Sequence, residues 1–180
     1  MTTSSDKGFP RWLILLGVLT AIGPLSIDMY LPAFPQIERS LGGLPGSVEL
    51  TLASFFIGLT FGQLFYGPLS DRFGRKKPLY LGLAIYTLAS IGAAFAPSIP
   101  ALIVCRFLQG MGGCAGIIIP SAIVRDRTTA RESARAFSLL MLVMGLAPIL
   151  APLIGGGLLT QWGWRGIFGL LALYGGACLV

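Results

Sequence analysis

The chain contains no histidine in 180 residues. Histidine is the side chain whose unperturbed titration falls between pH 5 and 8, so proton handling near neutrality rests on carboxylates in altered surroundings. Its absence also removes Ser/His nucleophile pairs and histidine-bearing metal sites. Cysteine is scarce. Cys105, Cys114 and Cys178 all lie in apolar stretches, with spacing that gives neither a disulfide framework nor a metal site. No metal, cofactor or enzymatic activity is therefore expected. Charge is sparse too: 11% of residues are charged against 54% hydrophobic, and mean hydropathy is +0.81. That composition excludes a soluble domain of this size and indicates a polytopic membrane protein. A net charge of +6 could suggest nucleic acid, but the bases sit in short loops beside apolar runs, where they mark topology. No nucleic-acid partner is expected.

What the chain does have is one dense basic stretch between apolar runs of membrane length. Residues 67–79 read GPLSDRFGRKKPL, with one acid and four bases, flanked by charge-free runs at 50–70 and 78–105. Such a stretch reads as a cytoplasmic loop between transmembrane helices. The predicted fold class is an all-α membrane protein with six transmembrane helices. Residues 1–10 form a short polar tail, expected to be disordered in the cytoplasm, and residues 11–180 form one six-helix transmembrane domain. Span 1 is expected over 12–34, ended by Pro32 and Pro35, followed by a non-basic loop at 36–49. Span 2 is expected over 48–69, span 3 over 78–96, span 4 over 99–124 and span 5 over 136–159. A second basic loop covers 125–135, and a turn with Trp162, Trp164 and Arg165 precedes span 6 at Gly166. From there to residue 180 is 15 residues, about 22 Å of helix against a ~30 Å hydrocarbon core. Span 6 thus reads as truncated and the chain as the front of a longer protein. Ten bases lie with the amino terminus and the two basic loops, and two (Arg39 and Arg165) on the opposite side. This places the amino terminus in the cytoplasm. Gly67, Leu69 and Gly74 after span 2 share their spacing with Gly156, Leu158 and Gly163 after span 5, a faint sign of an inverted three-plus-three repeat.

Only two charges fall within the spans, Asp28 and Arg106. Intramembrane charges are costly and are functional candidates by default. Counting residues puts both about 10 Å from the same membrane surface. They can face one cavity or form a structural ion pair between two helices. Gln109, Gly110 and Gly113 share the face of Arg106 at i+3, i+4 and i+7. In span 5, Ala147, Ala151 and Gly155 make a stripe of small residues, with Pro148, Pro152 and Gly156 beside it. That pattern serves close packing, a helix bend, or both.

Residues 67–79 match, position for position, the loop motif G-x-L-[AS]-D-[RK]-x-G-R-[RK]-x-x-L of the major facilitator superfamily. Leu102, Arg106, Gln109, Gly110 and Gly112 match its fourth-helix motif L-x3-R-x2-Q-G-x-G. Ala147, Ala151, Pro152, Gly155 and Gly156 resemble its fifth-helix antiporter motif G-x3-G-P-x2-G-G, with alanine at both leading glycines. SIDMYLPAFP in span 1 resembles the drug:proton antiporters of the bicyclomycin and chloramphenicol resistance subfamily. The resemblance implies the amino-terminal half of a twelve-helix transporter of the bacterial cytoplasmic (inner) membrane. Such a protein expels small, often hydrophobic, antimicrobials in exchange for protons. Asp28 would accept the proton, Arg106 would hold it charged against burial or take part in proton release, and Tyr30 and Gln109 would line the same cavity. Removing Arg106 would then orphan a buried carboxylate. Gly67, Asp71, Arg72, Gly74, Arg75 and Lys76 would form a conformational latch against the carboxy-terminal half, with Arg125 and Asp126 as local partners and Asp126 facing Arg75. The implied partners are a drug-like molecule, protons, the lipid bilayer and the second six-helix half, and the energy source is the proton gradient. Two other readings are a nutrient or metabolite symporter of the same superfamily and a non-transporting fragment.

Overall fold

A computed structural model describes residues 11–179, and within them the chain is helical almost throughout. The first rod is broken: α1 (Arg11–Thr20), α2 (Ile22–Asp28), a 3₁₀ turn (Leu31–Ala33) and α3 (Phe34–Leu41). Four longer helices follow: α4 (Glu49–Phe73), α5 (Lys76–Ala94), α6 (Ile99–Arg127) and α7 (Ala130–Ala177). Among the described residues, four segments are long and apolar enough to cross a membrane: Trp12–Leu41, Glu49–Phe73, Ile99–Arg127 and Ala130–Ala177. The 48 residues of α7 measure about 72 Å at 1.5 Å per residue, more than twice a ~30 Å core. Gly163, with φ 67° and ψ −175°, interrupts it.

Several boundaries differ from the sequence reading. Pro32 and Pro35 do not end the first rod, because they sit in the opening turns of the 3₁₀ segment and of α3, where no backbone N–H is needed. Helix therefore continues to Leu41, inside the expected loop at 36–49. The basic stretch at 67–79 is also largely helical: α4 runs through Pro68 to Phe73 and α5 starts at Lys76. What turns the chain is Gly74, whose φ of 80° is a left-handed conformation that other residues adopt at a cost. The loop expected at 125–135 shrinks to Thr128 and Thr129, because α6 runs to Arg127 and Thr129 with Glu132 forms a capping box that starts α7. The tail at 1–10 lies outside the described residues.

Small residues set the helix spacing. A Cβ at Gly58 would strike the Phe107 carbonyl, and one at Gly110 the Phe55 carbonyl, so α4 and α6 touch backbone to backbone at two reciprocal points. Association of membrane helices relies on this close approach. Gly110→Leu is expected to force the pair apart, costing about 1–3 kcal/mol or more and lowering the thermal midpoint in detergent. Gly145→Ala, where a Cβ meets nothing within 4 Å, is the control and is expected not to lower the midpoint, since alanine favours the helix more than glycine does.

Candidate functional site

Arg106 is the largest fully buried side chain of the core. Its guanidinium carbon stacks 4.3 Å from the Phe55 ring centroid and 4.5 Å from that of Tyr30, with Phe168 at 5.8 Å. These rings come from α4, the break after α2, and the last part of α7, so one cation gathers four parts of the chain. Aromatic faces carry negative charge density and partly offset the lost hydration. Nη1 donates to Gln109 Oε1 at 2.7 Å and to the Ser26 carbonyl at 3.1 Å. The second bond follows from the end of α2. There the Tyr30 N–H turns to the Ile27 carbonyl, and the arginine supplies a donor to one of the carbonyls left open at a helix end. Nε and Nη2 are buried with no hydrogen-bond partner among the described residues.

A polar web extends from this point. Gln109 Nε2 donates to Ser90 Oγ at 2.7 Å, and Ser90 Oγ donates to the Tyr86 carbonyl at 2.7 Å. The Tyr86 hydroxyl meets Ser26 Oγ at 2.7 Å, and the Tyr30 hydroxyl meets Thr51 Oγ1. Ser26, Thr51, Ser90 and Tyr86 were not legible as a set. Each is a small or aromatic residue inside an apolar run, and only the packing of four helices brings them together.

Asp28 stands apart from this web. It is the last residue of α2 and is half-buried. Among the described residues it makes no ion pair with Arg106. Similar depth along two helices does not fix the direction in which each side chain points. Ser26 faces Tyr86 and Arg106, and Asp28, two residues on, is turned by about 200°. The expectation that loss of Arg106 would orphan the Asp28 carboxylate is therefore corrected.

At the other end of the bundle, Arg75 is a clamp. Nη1 donates to Asp71 Oδ1 at 2.6 Å and to Ser70 Oγ at 2.7 Å, while Nε donates to Asp126 Oδ2 at 2.8 Å. The bond to Asp126 is the main cause that raises the Arg75 pKa further above its ordinary value. The end of α4 is thereby tied to the end of α6. Asp71 stays 70% exposed at its side chain. Gly67 faces open space in a cavity of about 310 Å³ that Asp71, Arg75 and Arg125 also line. Arg125 bonds back to the Ser121 carbonyl, Arg72 lies over the Phe73 ring, and Lys76 opens α5, exposed. In α7, Ala147, Ala151 and Gly155 are buried, and a Cβ at Gly155 would strike Met29 in the first rod. Pro152 is half-buried beside them, and Gly156 borders open space.

Comparison with known proteins agrees with this architecture. Residues 14–180 match the sequence profile of the Major Facilitator Superfamily. An uncharacterized MFS-type transporter of Bacillus subtilis, YdgK, is 45% identical over 163 residues, covering 89% of this chain and 40% of that protein. A bicyclomycin resistance protein homolog of Haemophilus influenzae is 37% identical, covering 91% of this chain and 41% of its own length. Multidrug resistance protein D of Escherichia coli is 36% identical, covering 87% and 40%. The chain spans about 40% of the length of these curated relatives. With helical spans throughout and a profile match over nearly its whole length, the chain belongs to the Major Facilitator Superfamily.

Proposed function

We propose that this chain is the six-span amino-terminal half of an exporter that exchanges small apolar antimicrobials for protons across the bacterial cytoplasmic membrane. Six spans result when α5 joins the first rod, α4 and α6, and α7 counts as two helices about Gly163. Gly74 and Gly163, which close spans 2 and 5, share positive φ values of 80° and 67°, in support of the inverted repeat. The excess of bases beside α4, α6 and the amino terminus supports a cytoplasmic amino terminus. The relatives named for bicyclomycin and multidrug resistance support the substrate class.

One observation carries the coupling role: Asp28 is a half-buried acid in an apolar span that forms no ion pair among the described residues, while Arg106 is committed to Ser26 and Gln109. Such an acid is able to take up and give back a proton as the two halves rock about a shared cavity. Tyr30 packs against Arg106 at the same helix break, and Gln109 holds the guanidinium in place. Arg106 Nε and Nη2 remain as donors for an approaching acceptor. Asp71 keeps an exposed oxygen edge for the second half, and the Arg75 clamp holds it in position.

The test is transport in everted membrane vesicles carrying the full gene product. A lipophilic cationic dye or chloramphenicol should accumulate inside when the interior is acidified, and a protonophore should abolish the accumulation. Proton-driven movement in the opposite direction would support the symporter reading and overturn this one.

A further inference from the structure

A groove of about 870 Å³ runs along the outside of the bundle between α5 and the part of α7 that follows Gly163. It faces away from the Arg106 core. On α5, Tyr86, Ser90 and Ala93 are buried, whereas Leu88, Ile91 and Phe95 are exposed. On α7, Phe168, Leu171 and Gly175 are buried, whereas Leu173 is exposed. Glycines hollow the groove, because a Cβ at Gly169 or Gly176 would meet nothing within 4 Å. From Gly166 to Ala177 the groove is about 16 Å long at 1.5 Å per residue. That is roughly half of a ~30 Å hydrocarbon core, the depth of one leaflet.

One end carries a fixed charge. Arg165 is exposed, donates from Nη2 to the Ala96 carbonyl at 3.1 Å, and lies 4.3 Å over the Trp164 ring. Among the described residues it has no ion pair. Exposed Trp162 sits beside it, and tryptophans gather at the headgroup level of a bilayer. An apolar trough one leaflet long thus leads to a positioned guanidinium at headgroup depth, with N–H donors to spare.

We propose that this groove is a specific site for one anionic phospholipid, with an acyl chain along Gly169 and Gly176 and its phosphate on Arg165. Guanidinium and phosphate meet through charge-assisted hydrogen bonds. A zwitterionic lipid brings the same chains, but its own cation offsets the phosphate. In the orientation argued above, the lipid belongs to the outer leaflet. The binding assay reads the same in either orientation and without transport, so its failure leaves the exporter reading intact and the reverse also holds.

The test uses the full gene product in mild detergent, titrated with dioleoyl phosphatidylglycerol or dioleoyl phosphatidylcholine and read by native mass spectrometry. Wild type is expected to retain one phosphatidylglycerol at an about tenfold lower concentration than phosphatidylcholine. Arg165→Gln is expected to erase that preference. Gly169→Leu points into open space and is expected to fold normally, checked by its thermal midpoint, while retaining neither lipid. A wild type that shows no preference, or that retains neither lipid because another segment covers the groove, would overturn the proposal. So would a Gly169→Leu variant that retains phosphatidylglycerol as well as wild type.

Discussion

Arg106→Met should give a protein that folds at least as well as wild type and transports nothing. The guanidinium is fully buried, two of its nitrogens lack partners, and among the described residues no carboxylate neutralises it. A buried cation without a counter-ion costs several kcal/mol, and an apolar side chain of similar length removes that cost, changing stability by about 0 to +4 kcal/mol. Losing the bonds to Gln109 and Ser26 offsets part of this gain. Arg106→Ala loses the same charge but opens a void among Tyr30, Phe55 and Phe168, and should be less stable than Arg106→Met by about 2–5 kcal/mol. Arg106→Lys keeps the charge but loses the flat stacking surface and should not restore transport. Thermal midpoints of the three variants, read beside vesicle transport, separate a functional role from a structural one. If Arg106→Met transports as wild type does, the arginine serves packing alone.

Asp28→Asn should abolish accumulation against a gradient while leaving drug binding and downhill flux. With one proton exchanged per molecule, a gradient of one pH unit supports about tenfold accumulation, since one unit is worth 1.36 kcal/mol. An amide cannot carry that proton, so the variant should settle near equal concentrations on both sides. The fold should tolerate the change, because Asp28 is half-buried and, among the described residues, no ion pair depends on it. Asp28→Glu keeps the titrating group and should retain part of the uphill activity.

The sequence made the class of this fold legible because membrane physics acts on composition. Apolar runs of sufficient length have to become helices, and bases have to collect at their ends. Helix ends were less legible. Pro32 and Pro35 looked like terminators, yet at the start of a helical segment proline lacks only an N–H that has no partner there. At residues 67–79 the dense charge suggested an open loop, whereas Gly74 alone supplies the turn. The meeting of Arg75 and Asp126 was legible, since both belong to the two basic stretches that the base count assigns to one side. The environment of Arg106 was not. Its aromatic cage and the chain through Gln109, Ser90 and Tyr86 depend on how helices are rotated against one another, and periodicity along one helix says nothing about its neighbour's phase.

Proton release on drug binding tests the role of Asp28 most directly. The purified full gene product, in weakly buffered detergent solution with a pH-sensitive dye, is mixed with drug, wild type beside Asp28→Asn. Wild type should release about one proton per bound drug, with the amount falling as the starting pH rises and Asp28 is already ionised, and the variant should bind drug and release none. Equal release from both proteins would contradict the account and place the coupling group elsewhere.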